Sequence, residues 1–190
     1  MHISKEQFFE KKEYYIQKIK SGSIFIYPTD TIYGIGCNAN LDISVKKIRQ
    51  IKNRPDNKPV SLIAPSKEWI KQNFIVTNEL LDKLPGPYTL ILRLKDVTNK
   101  KISDFVNNNI NSTIGVRIPN HWFSKIINEA NVPFVTTSVN ISSQKHMTCF
   151  DDLDHNIKNQ VDYIIYEGQK KGKASILIDF SKDIIEVKKR

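Results

Sequence analysis

Cationic, hydroxyl and amide side chains occur at four places where a predicted strand or helix ends. Ammonium and guanidinium groups neutralise phosphate and carboxylate oxygens, and hydroxyl and amide groups donate hydrogen bonds to them. The four places are residues 29–31, Lys52 with Arg54 and Lys58, Arg117, and Ser138 with Asn140. Together these residues predict an anion-binding cleft.

Residues 27–36 put hydroxyls, one carboxylate and two glycines directly after the apolar run 24–26. This pattern predicts a strand that leads into a polar turn, where glycine would let a bound molecule approach the backbone closely. An ordinary turn, in which Thr29 and Asp30 satisfy their own backbone, is the alternative explanation. The binding interpretation therefore depends on the other three places.

Lys52 and Arg54 lie two residues apart, at or just past the end of a helix predicted from Asp42. A compact ammonium beside a forked guanidinium suits the oxygens of a phosphate chain. The alternative is that the two cations stabilise the C-terminus of the helix, which is worth up to about 1 kcal/mol. Only the neighbouring groups favour the phosphate site.

Arg117 lies inside the apolar segment 115–119, where an arginine is costly unless it pairs with an anion. The anion is either a structural carboxylate or a bound carboxylate or phosphate, which an arginine fork clamps well. Ser138 and Asn140 are two residues apart in a predicted extended segment, so their side chains point the same way. They predict a pair of hydrogen-bonding groups on one face, with a simple turn at the strand end as the alternative.

The spacing of apolar residues and the capping residues predict the elements that position these groups. Helices are expected at 5–20, from Asp42 to before Pro55, from a Ser66 cap through Trp69, from Thr77, from an Asn120 cap through Ala130, and at 150–158. Strands are expected at 24–26, 60–64, 88–94, 114–118, 132–135, 163–166, 175–180 and 184–187, and residues 107–109 are expected to form a loop. The alternation predicts one α/β domain, residues 1–190, with a twisted mixed sheet flanked by helices and a basic concave cleft.

The bulk composition narrows the range of functions. With 190 residues, 39% of them hydrophobic, and no apolar run long enough for a membrane span or a secretory signal, we expect a cytoplasmic protein with no membrane partner. The net charge of +9 favours a nucleoside triphosphate or a nucleic acid as partner. Cys37, Cys149 and the four histidines lack metal-ligand spacing, so no metal site is predicted and the histidines are expected to be isolated or satisfied side chains. The chain also lacks a P-loop, so a nucleotide site must be built from side chains.

Five stretches, taken in order and spacing, resemble the YrdC/TsaC family of L-threonylcarbamoyladenylate synthases over nearly the whole chain. They are residues 27–36, 52–60, 84–92, 115–119 and 138–140. The resemblance implies a YrdC-like nucleotidyltransferase that makes threonylcarbamoyl-AMP and pyrophosphate from ATP, bicarbonate and L-threonine. It also implies Mg²⁺ with ATP, and a product used to form N6-threonylcarbamoyladenosine in tRNA, with tRNA and tRNA-modification transferases as partners.

Carried over position by position, the resemblance implies two binding regions. ATP would be bound by Lys52, Arg54, Lys58, Thr113, Ser138 and Asn140. L-threonine would be bound by Thr31, Arg117 and Thr136. No residue is assigned as a covalent nucleophile or an acid-base catalyst, so the implied catalysis is by positioning and electrostatics.

The chain departs from the family pattern at three places. A serine-glycine pair of the family is Ser142-Ser143 here, so the loop that follows is expected to differ in backbone. Ile176 replaces the threonine of a serine-threonine pair, which removes a hydroxyl from a position that can touch the amino acid. The arginine often found after the last strand is at best Arg190.

Two other functions stay open at this point. A non-catalytic RNA-binding module could use the same basic cleft, although the charge of +9 is its only independent support and the chain lacks the aromatic pattern of an RNA-recognition sheet. Carbamoyl-adenylate chemistry in hydrogenase maturation uses a related domain inside much larger proteins, and the lack of zinc-finger cysteines here argues against it. Pyrophosphate release from ATP separates the synthase from the RNA-binding module.

Overall fold

The computed structural model describes residues 1–98, 102–107, 112–142, 144–181 and 186–188. Within these residues helices and strands alternate, which confirms the predicted α/β class. The helices are α1 Lys5–Glu10, α2 Lys12–Lys20, α3 Asp42–Ile51, α4 Lys67–Asn73, α5 Asn78–Leu81, α6 Trp122–Ala130 and α7 His155–Gln160, with short 3₁₀ helices at Asp104–Val106 and Phe150–Asp152. None of the described helices is long and apolar enough to cross a membrane.

The strands of the described residues form one mixed sheet, as predicted. They are β1 His2–Ile3, β2 Phe25–Tyr27, β3 Gly34–Gly36, β4 Ser61–Ile63, β5 Tyr88–Arg93, β6 Thr113–Arg117, β7 Phe134–Ser138, β8 Tyr163–Ile165, β9 Ile176–Asp179 and β10 Glu186–Lys188. Their order is β1-β8-β2-β3-β7-β4-β6-β5-β9-β10, and β4 is parallel to β6 but antiparallel to β7. The strands that carry Arg117 and Ser138 therefore lie on either side of β4, in the middle of the sheet.

Strand β2 and the residue before it show that the sheet is buried on both faces. Ile24 and Ile26 belong to one hydrophobic cluster, while Phe25 and Tyr27 belong to a second. Because alternate residues of a strand point to opposite faces, the two clusters lie on opposite sides of the sheet. The second cluster is rich in aromatic rings, and Phe123 stacks on Tyr27 with ring centroids 4.4 Å apart.

Most predicted strands are found close to their expected positions. The strands expected at 24–26, 60–64, 88–94, 114–118, 163–166 and 175–180 are β2, β4, β5, β6, β8 and β9, each end shifted by no more than one residue. The predicted Ser66 cap is also present, because Ser66 accepts a hydrogen bond from the backbone N–H of Trp69, although α4 continues to Asn73. Parts of the predicted 107–109 loop and 184–187 strand, together with Ser143 and Arg190, lie outside the described residues.

The helix predicted at 5–20 is two helices in the structure. Lys11 separates them with a φ of −123°, outside the helical range. The break allows Phe8 of α1 to stack on Tyr15 of α2, with ring centroids 4.9 Å apart. Because the apolar spacing continues across Lys11, the sequence pattern gives no sign of the break.

Two predicted helix caps were each wrong by one residue. Asp42 is the first residue of α3 rather than its cap. His121, rather than Asn120, caps α6, and its Nδ1 accepts a hydrogen bond from the backbone N–H of Phe123. The N–H of Asn120 donates instead to the carboxylate of Asp30 at 2.9 Å. This tertiary contact fixes Asn120 in the turn that precedes the helix.

Residues 34–36, predicted as part of a polar loop, form strand β3, which pairs in antiparallel fashion with both β2 and β7. A Cβ atom at Gly36 would lie 1.8 Å from the carbonyl oxygen of Val135 and 2.7 Å from a ring carbon of Phe134. The close approach of two backbones therefore requires this glycine. A short edge strand, β1 at His2–Ile3, was also not predicted.

Gly36→Ala should lower the free energy of unfolding by more than about 3 kcal/mol, because the added methyl group is accommodated only if the backbones of β3 and β7 move apart. Gly168→Ala is the control. Its φ of +98° strains an alanine by about 1–2 kcal/mol, but no atom lies within 4 Å of the added Cβ. Urea unfolding measures the free energy of unfolding of both variants. An equal loss in the two would contradict the steric argument.

Candidate functional site

A cleft of about 430 Å³ opens on one face of the sheet. Strands β5 and β6 supply alternate residues to it, so these residues face the same side, while β4 supplies Ser61 and β7 supplies residues 136–138. Of the predicted site residues, those that line the cleft are Arg54, Lys58, Thr113, Arg117, Thr136, Ser138 and Asn140. Lys52 and Thr31 do not line it.

The lining of the cleft is polar and cationic. Hydroxyl groups reach it from four strands, β4 to β7, at Ser61, Thr89, Thr113, Thr136 and Ser138, and from Ser175 just before β9. Among the described lining residues, the side chains with a permanent charge are Arg54, Lys58 and Arg117, and none carries a carboxylate. Such a lining suits a polyanionic ligand.

Lys52 is buried and supports the turn that carries Ser138 and Asn140. Its Nζ donates to the carbonyl oxygens of Ser138 at 2.5 Å and Asn140 at 2.7 Å, and to Oδ1 of Asn140 at 3.1 Å. Burial and the nearby charge of Arg54 lower the pKa of Lys52 to about 7, whereas the three oxygen acceptors favour its ammonium form. Lys52 therefore holds this turn in place, and its contact with phosphate stays a prediction.

Ser138 and Asn140 lie side by side, as their spacing predicts. The hydroxyl of Ser138 donates to Oδ1 of Asn140 at 2.6 Å. The amide nitrogen of Asn140 donates to the carbonyl oxygens of Ile141 at 3.0 Å and Gln144 at 2.7 Å. The amide group is therefore fixed in orientation at the edge of the cleft.

The loop after α3 carries Arg54 and Lys58 into the lining, and Arg49 holds that loop. Arg49 is buried and donates to the carbonyl oxygens of Pro55 at 2.7 Å and Lys58 at 3.2 Å. The Nε of Arg54 donates to the same Lys58 carbonyl at 3.0 Å. Sequence reasoning missed Arg49, although a cation four residues after Val45 on the apolar face of α3 was a usable signal.

Arg117 is buried and forms an ion pair with Asp30, with 2.7 Å between Nη2 and Oδ1. The structural carboxylate, one of the two kinds of partner expected for Arg117 from the sequence, is therefore present. Nη1 and Nη2 reach Oγ1 of Thr31 only at 3.4 Å, and Nε has no hydrogen-bond partner among the described residues. Because the guanidinium has five N–H donors, Arg117 keeps donors that have no close acceptor among the described residues. The contact of Thr31 with a ligand stays a prediction.

Ile176 does not face the cleft. Ser175 and Leu177 line it, whereas Ile176 between them packs against the larger hydrophobic cluster. The alternation of side chains along β9 explains the difference. The hydroxyl of Ser175 lies 2.8 Å from that of Thr89, so these two residues form a buried pair in the lining.

The segment after β8 packs tightly against the turn that contains Thr31, since a Cβ at Gly172 would lie 2.2 Å from the carbonyl oxygen of Thr31. Glu167 anchors this segment. Its carboxylate is bonded to His121 Nε2 and Trp122 Nε1, both at 2.8 Å, and to Lys170 Nζ at 2.5 Å. Burial would raise the pKa of Glu167, but these three donors outweigh it and lower the pKa to about 2.

Two histidines have defined surroundings. The Nδ1 of His121 accepts a backbone N–H, so Nε2 carries the proton that goes to Glu167, and this histidine is satisfied as expected. His146 lines the cleft, which sequence reasoning missed. It precedes Met147, whose N–H donates to the carbonyl oxygen of Val139, and this contact returns the chain to the cleft. No local pattern in the sequence signals such a return.

Comparison with known proteins agrees with this geometry. A family model for Sua5, YciO and YrdC proteins, described as "Telomere recombination", matches residues 17–190. A Methanocaldococcus jannaschii protein named "Putative threonylcarbamoyl-AMP synthase" is 36% identical over 189 residues, which cover 96% of this chain and 86% of the relative. The threonylcarbamoyl-AMP synthase of Vibrio campbellii is 28% identical over 170 residues, which cover 85% of this chain and 88% of the relative.

A solved structure shares the fold over almost the whole chain. The crystal structure of P. abyssi Sua5 complexed with L-threonine matches 98% of this chain with a TM-score of 0.82 and 25% identity. The match covers 56% of the Sua5 chain, so the present chain spans a little over half of that protein.

The Glu167 cluster should be visible in the stability of the protein in acid. The pKa of this carboxyl is lowered in the folded state, so its carboxylate contributes stability above the ordinary pKa of 4.5 that is lost as the pH falls towards 2. Glu167→Gln should therefore lose less stability than the wild type between about pH 4.5 and 2, measured by urea unfolding. Glu10→Gln, on the exposed side of α1, is the matched control. Parallel stability curves for wild type and Glu167→Gln would contradict the assignment.

Proposed function

The chain belongs to the Sua5/YciO/YrdC family, and we propose that it is a threonylcarbamoyl-AMP synthase. The substrates are ATP, bicarbonate and L-threonine, and the products are threonylcarbamoyl-AMP and pyrophosphate. The shared name of the archaeal and bacterial relatives and the L-threonine complex of Sua5 support this proposal. So does the cleft, where an arginine with unused donors and two further cations meet a lining of hydroxyls.

Arg117 is the observation that carries the proposal. Its ion pair with Asp30 holds the guanidinium in a buried position in the lining of the cleft, and part of its N–H groups have no close acceptor among the described residues. A carboxylate accepts two parallel hydrogen bonds from such a fork. Arg117 therefore binds the carboxylate of L-threonine, and Thr136, which also lines the cleft, contacts the same molecule.

The phosphate chain of ATP is held by the other cationic part of the lining. Arg54 and Lys58 neutralise phosphate oxygens, and Thr113 donates a hydrogen bond to the nucleotide. Ser138 and Asn140, whose donors are used within the turn, form the wall against which the nucleotide lies. Lys52 keeps Ser138 and Asn140 in register through its three hydrogen bonds. These groups stabilise the negative charge that grows on the leaving pyrophosphate.

The reaction needs no covalent intermediate with the protein. The amine of L-threonine adds to bicarbonate with loss of water, which gives an N-carboxy species. An oxygen of that group attacks the α-phosphorus of ATP, and the bond to the bridging oxygen breaks as pyrophosphate leaves with the electron pair. The chain contributes by holding the two reacting groups together in a cleft that carries fixed positive charge.

Mg²⁺ fits this cleft as a partner of the triphosphate. The described lining offers hydroxyl and amide oxygens but no carboxylate, and no group of three or more possible His, Cys, Asp or Glu ligands occurs among the described residues. Phosphate oxygens are the natural ligands of Mg²⁺ in such a site. The ion would neutralise part of the charge on the phosphates when bound.

The partners of the product are the part of the proposal that rests on family likeness alone. Threonylcarbamoyl-AMP is a reactive mixed anhydride, and its use in forming N6-threonylcarbamoyladenosine requires tRNA and a tRNA-modification transferase. A cytoplasmic location fits this role and stays a prediction. The RNA-binding alternative keeps the net charge of +9 as its only support.

Pyrophosphate release from ATP and bicarbonate should require L-threonine, and L-serine should support it more weakly. The assay uses purified protein whose folding is checked by circular dichroism. Release that depends on L-threonine establishes the synthase. Folded protein that releases no pyrophosphate with any amino acid, but binds RNA with a steep salt dependence, would favour the RNA-binding module.

Arg117→Lys should raise the KM for L-threonine about tenfold or more, because the lysine keeps the charge beside Asp30 but loses the two-pronged contact. Arg117→Ala should reduce turnover further, although it also leaves Asp30 without its partner. Arg93→Ala is the matched control, since Arg93 is exposed and donates to the carbonyl oxygen of Ser181. An unchanged KM in folded Arg117→Lys would remove the carboxylate clamp from the proposal.

Ile176→Thr, which restores the residue usual in the family, should leave the KM for L-threonine within about twofold of the wild type. The side chain at this position packs into the core rather than the cleft, so the change should cost about 1–2 kcal/mol of stability instead. Ser175→Ala, which removes a hydroxyl from the lining, is the comparison variant and should raise the KM. A lower KM for Ile176→Thr would show that position 176 does reach the ligand.

A further inference from the structure

A buried tyrosine lies behind one wall of the cleft. Tyr27 of β2 is fully buried in the aromatic cluster, where its ring stacks on Phe123 and packs edge-on against Phe134 at 5.5 Å. Its hydroxyl donates a hydrogen bond of 2.6 Å to Oγ1 of Thr136. A phenylalanine could fill the same ring position, so the packing alone does not account for the hydroxyl.

The direction of this hydrogen bond is set by burial. Desolvation raises the pKa of Tyr27 far above its ordinary value, so the phenol stays protonated. A buried O–H group that lacks an acceptor is costly. Among the described residues, Oγ1 of Thr136 is the acceptor that the phenol has. The oxygen of Thr136 therefore accepts from Tyr27.

The hydrogen of Thr136 is consequently directed elsewhere. A threonine hydroxyl has one hydrogen and two lone pairs, and Tyr27 occupies one lone pair. In the part of the chain that the structure describes, the hydroxyl of Thr136 has no second hydrogen-bond partner. Since Thr136 lines the cleft, its O–H is free to donate to a ligand there.

We propose that Tyr27 is a positioning residue that makes Thr136 a hydrogen-bond donor to the carboxylate of L-threonine. The inference rests on the proposed function. Arg117 and Thr136 both line the cleft, so the guanidinium and the directed Thr136 hydroxyl face the same ligand space. Both groups donate hydrogen bonds to the ligand. They therefore favour a carboxylate, which accepts hydrogen bonds, over an ammonium group, which donates them.

The arrangement also serves the order of the reaction. The amine of L-threonine must stay available to react with bicarbonate, so the amino acid must bind in one orientation only. A threonine hydroxyl with free rotation could accept a hydrogen bond from the amine as readily as it donates one to the carboxylate. Because the hydroxyl of Tyr27 already donates to the oxygen of Thr136, the Thr136 hydroxyl favours contact with the carboxylate of L-threonine.

Tyr27→Phe should raise the KM for L-threonine about tenfold, which corresponds to the loss of about 1.4 kcal/mol of binding, and should change kcat by less than about threefold. The dissociation constant of L-threonine, measured by calorimetry without ATP, should rise by a similar factor. The wild type should also bind L-threonine more tightly than L-threoninol, which lacks the carboxylate. Tyr27→Phe should reduce the ratio of the two dissociation constants. An unchanged ratio would overturn the proposal.

A double-mutant cycle separates positioning from a purely structural role. Thr136→Val removes the hydroxyl that Tyr27 acts through, so adding Tyr27→Phe to Thr136→Val should raise the KM no further. Thr136→Ser retains the hydroxyl and should keep most of the affinity and most of the response to Tyr27→Phe. Equal effects of Tyr27→Phe with and without the Thr136 hydroxyl would show that the tyrosine only supports the fold, and would overturn the proposal.

Failure of the proposed function is distinguishable from failure of this inference. If the wild type binds L-threonine but releases no pyrophosphate, the synthase is wrong, and the calorimetric cycle still decides the role of Tyr27. If the wild type is active and the cycle is additive, the synthase stands and the role of Tyr27 is overturned. Thermal unfolding of each variant confirms that the folded state is being compared.

Discussion

Buried cations are the constraint on which the site depends. Arg49, Lys52 and Arg117 are each at most 6% exposed, and a charge taken out of water is costly unless oxygen atoms replace the water. Arg117 has the carboxylate of Asp30, whereas Arg49 and Lys52 have backbone carbonyl oxygens of the loops around them. Those loops are the ones that line the cleft. The same interactions that make the burial tolerable therefore set the shape of the binding site.

This arrangement divides the cations into two groups with different tasks. Arg49 and Lys52 donate hydrogen bonds to backbone carbonyl oxygens, and in this way they hold the loop of Arg54 and the turn of Ser138. Arg54 and Lys58 lie in the lining itself. Arg117 does both, because its guanidinium is bound to Asp30 and its side chain also lines the cleft. A cleft built in this way keeps its charge in place before any substrate arrives, which is the condition for electrostatic catalysis.

The predictable features are those that follow from local spacing. The apolar runs gave β4, β5 and β6, and the i, i+2 pair Ser138 and Asn140 lies on the cleft as alternation requires. The features that were missed depend on contacts between distant segments. Gly36 is in a strand because two backbones meet there, and the N–H of Asn120 is bonded to Asp30 in the turn before His121, which caps α6. Such tertiary contacts leave no trace in a local window.

The length of β6 gives the two ligands of the proposed reaction separate places. Thr113 and Arg117 both line the cleft and lie four residues apart along the strand, which is about 13 Å at the rise of an extended chain. The carboxylate of L-threonine and the phosphates of ATP are both negatively charged, so a carboxylate at one end and a nucleotide at the other would limit their repulsion. Gly115 lies between them in the lining, and the place of its missing side chain is taken by the Ser61 hydroxyl and the Thr89 methyl group, 2.7 and 3.2 Å from where a Cβ would lie. In the proposed reaction the strand would thus separate the two groups of negative charge, with the hydroxyls of the neighbouring strands between them.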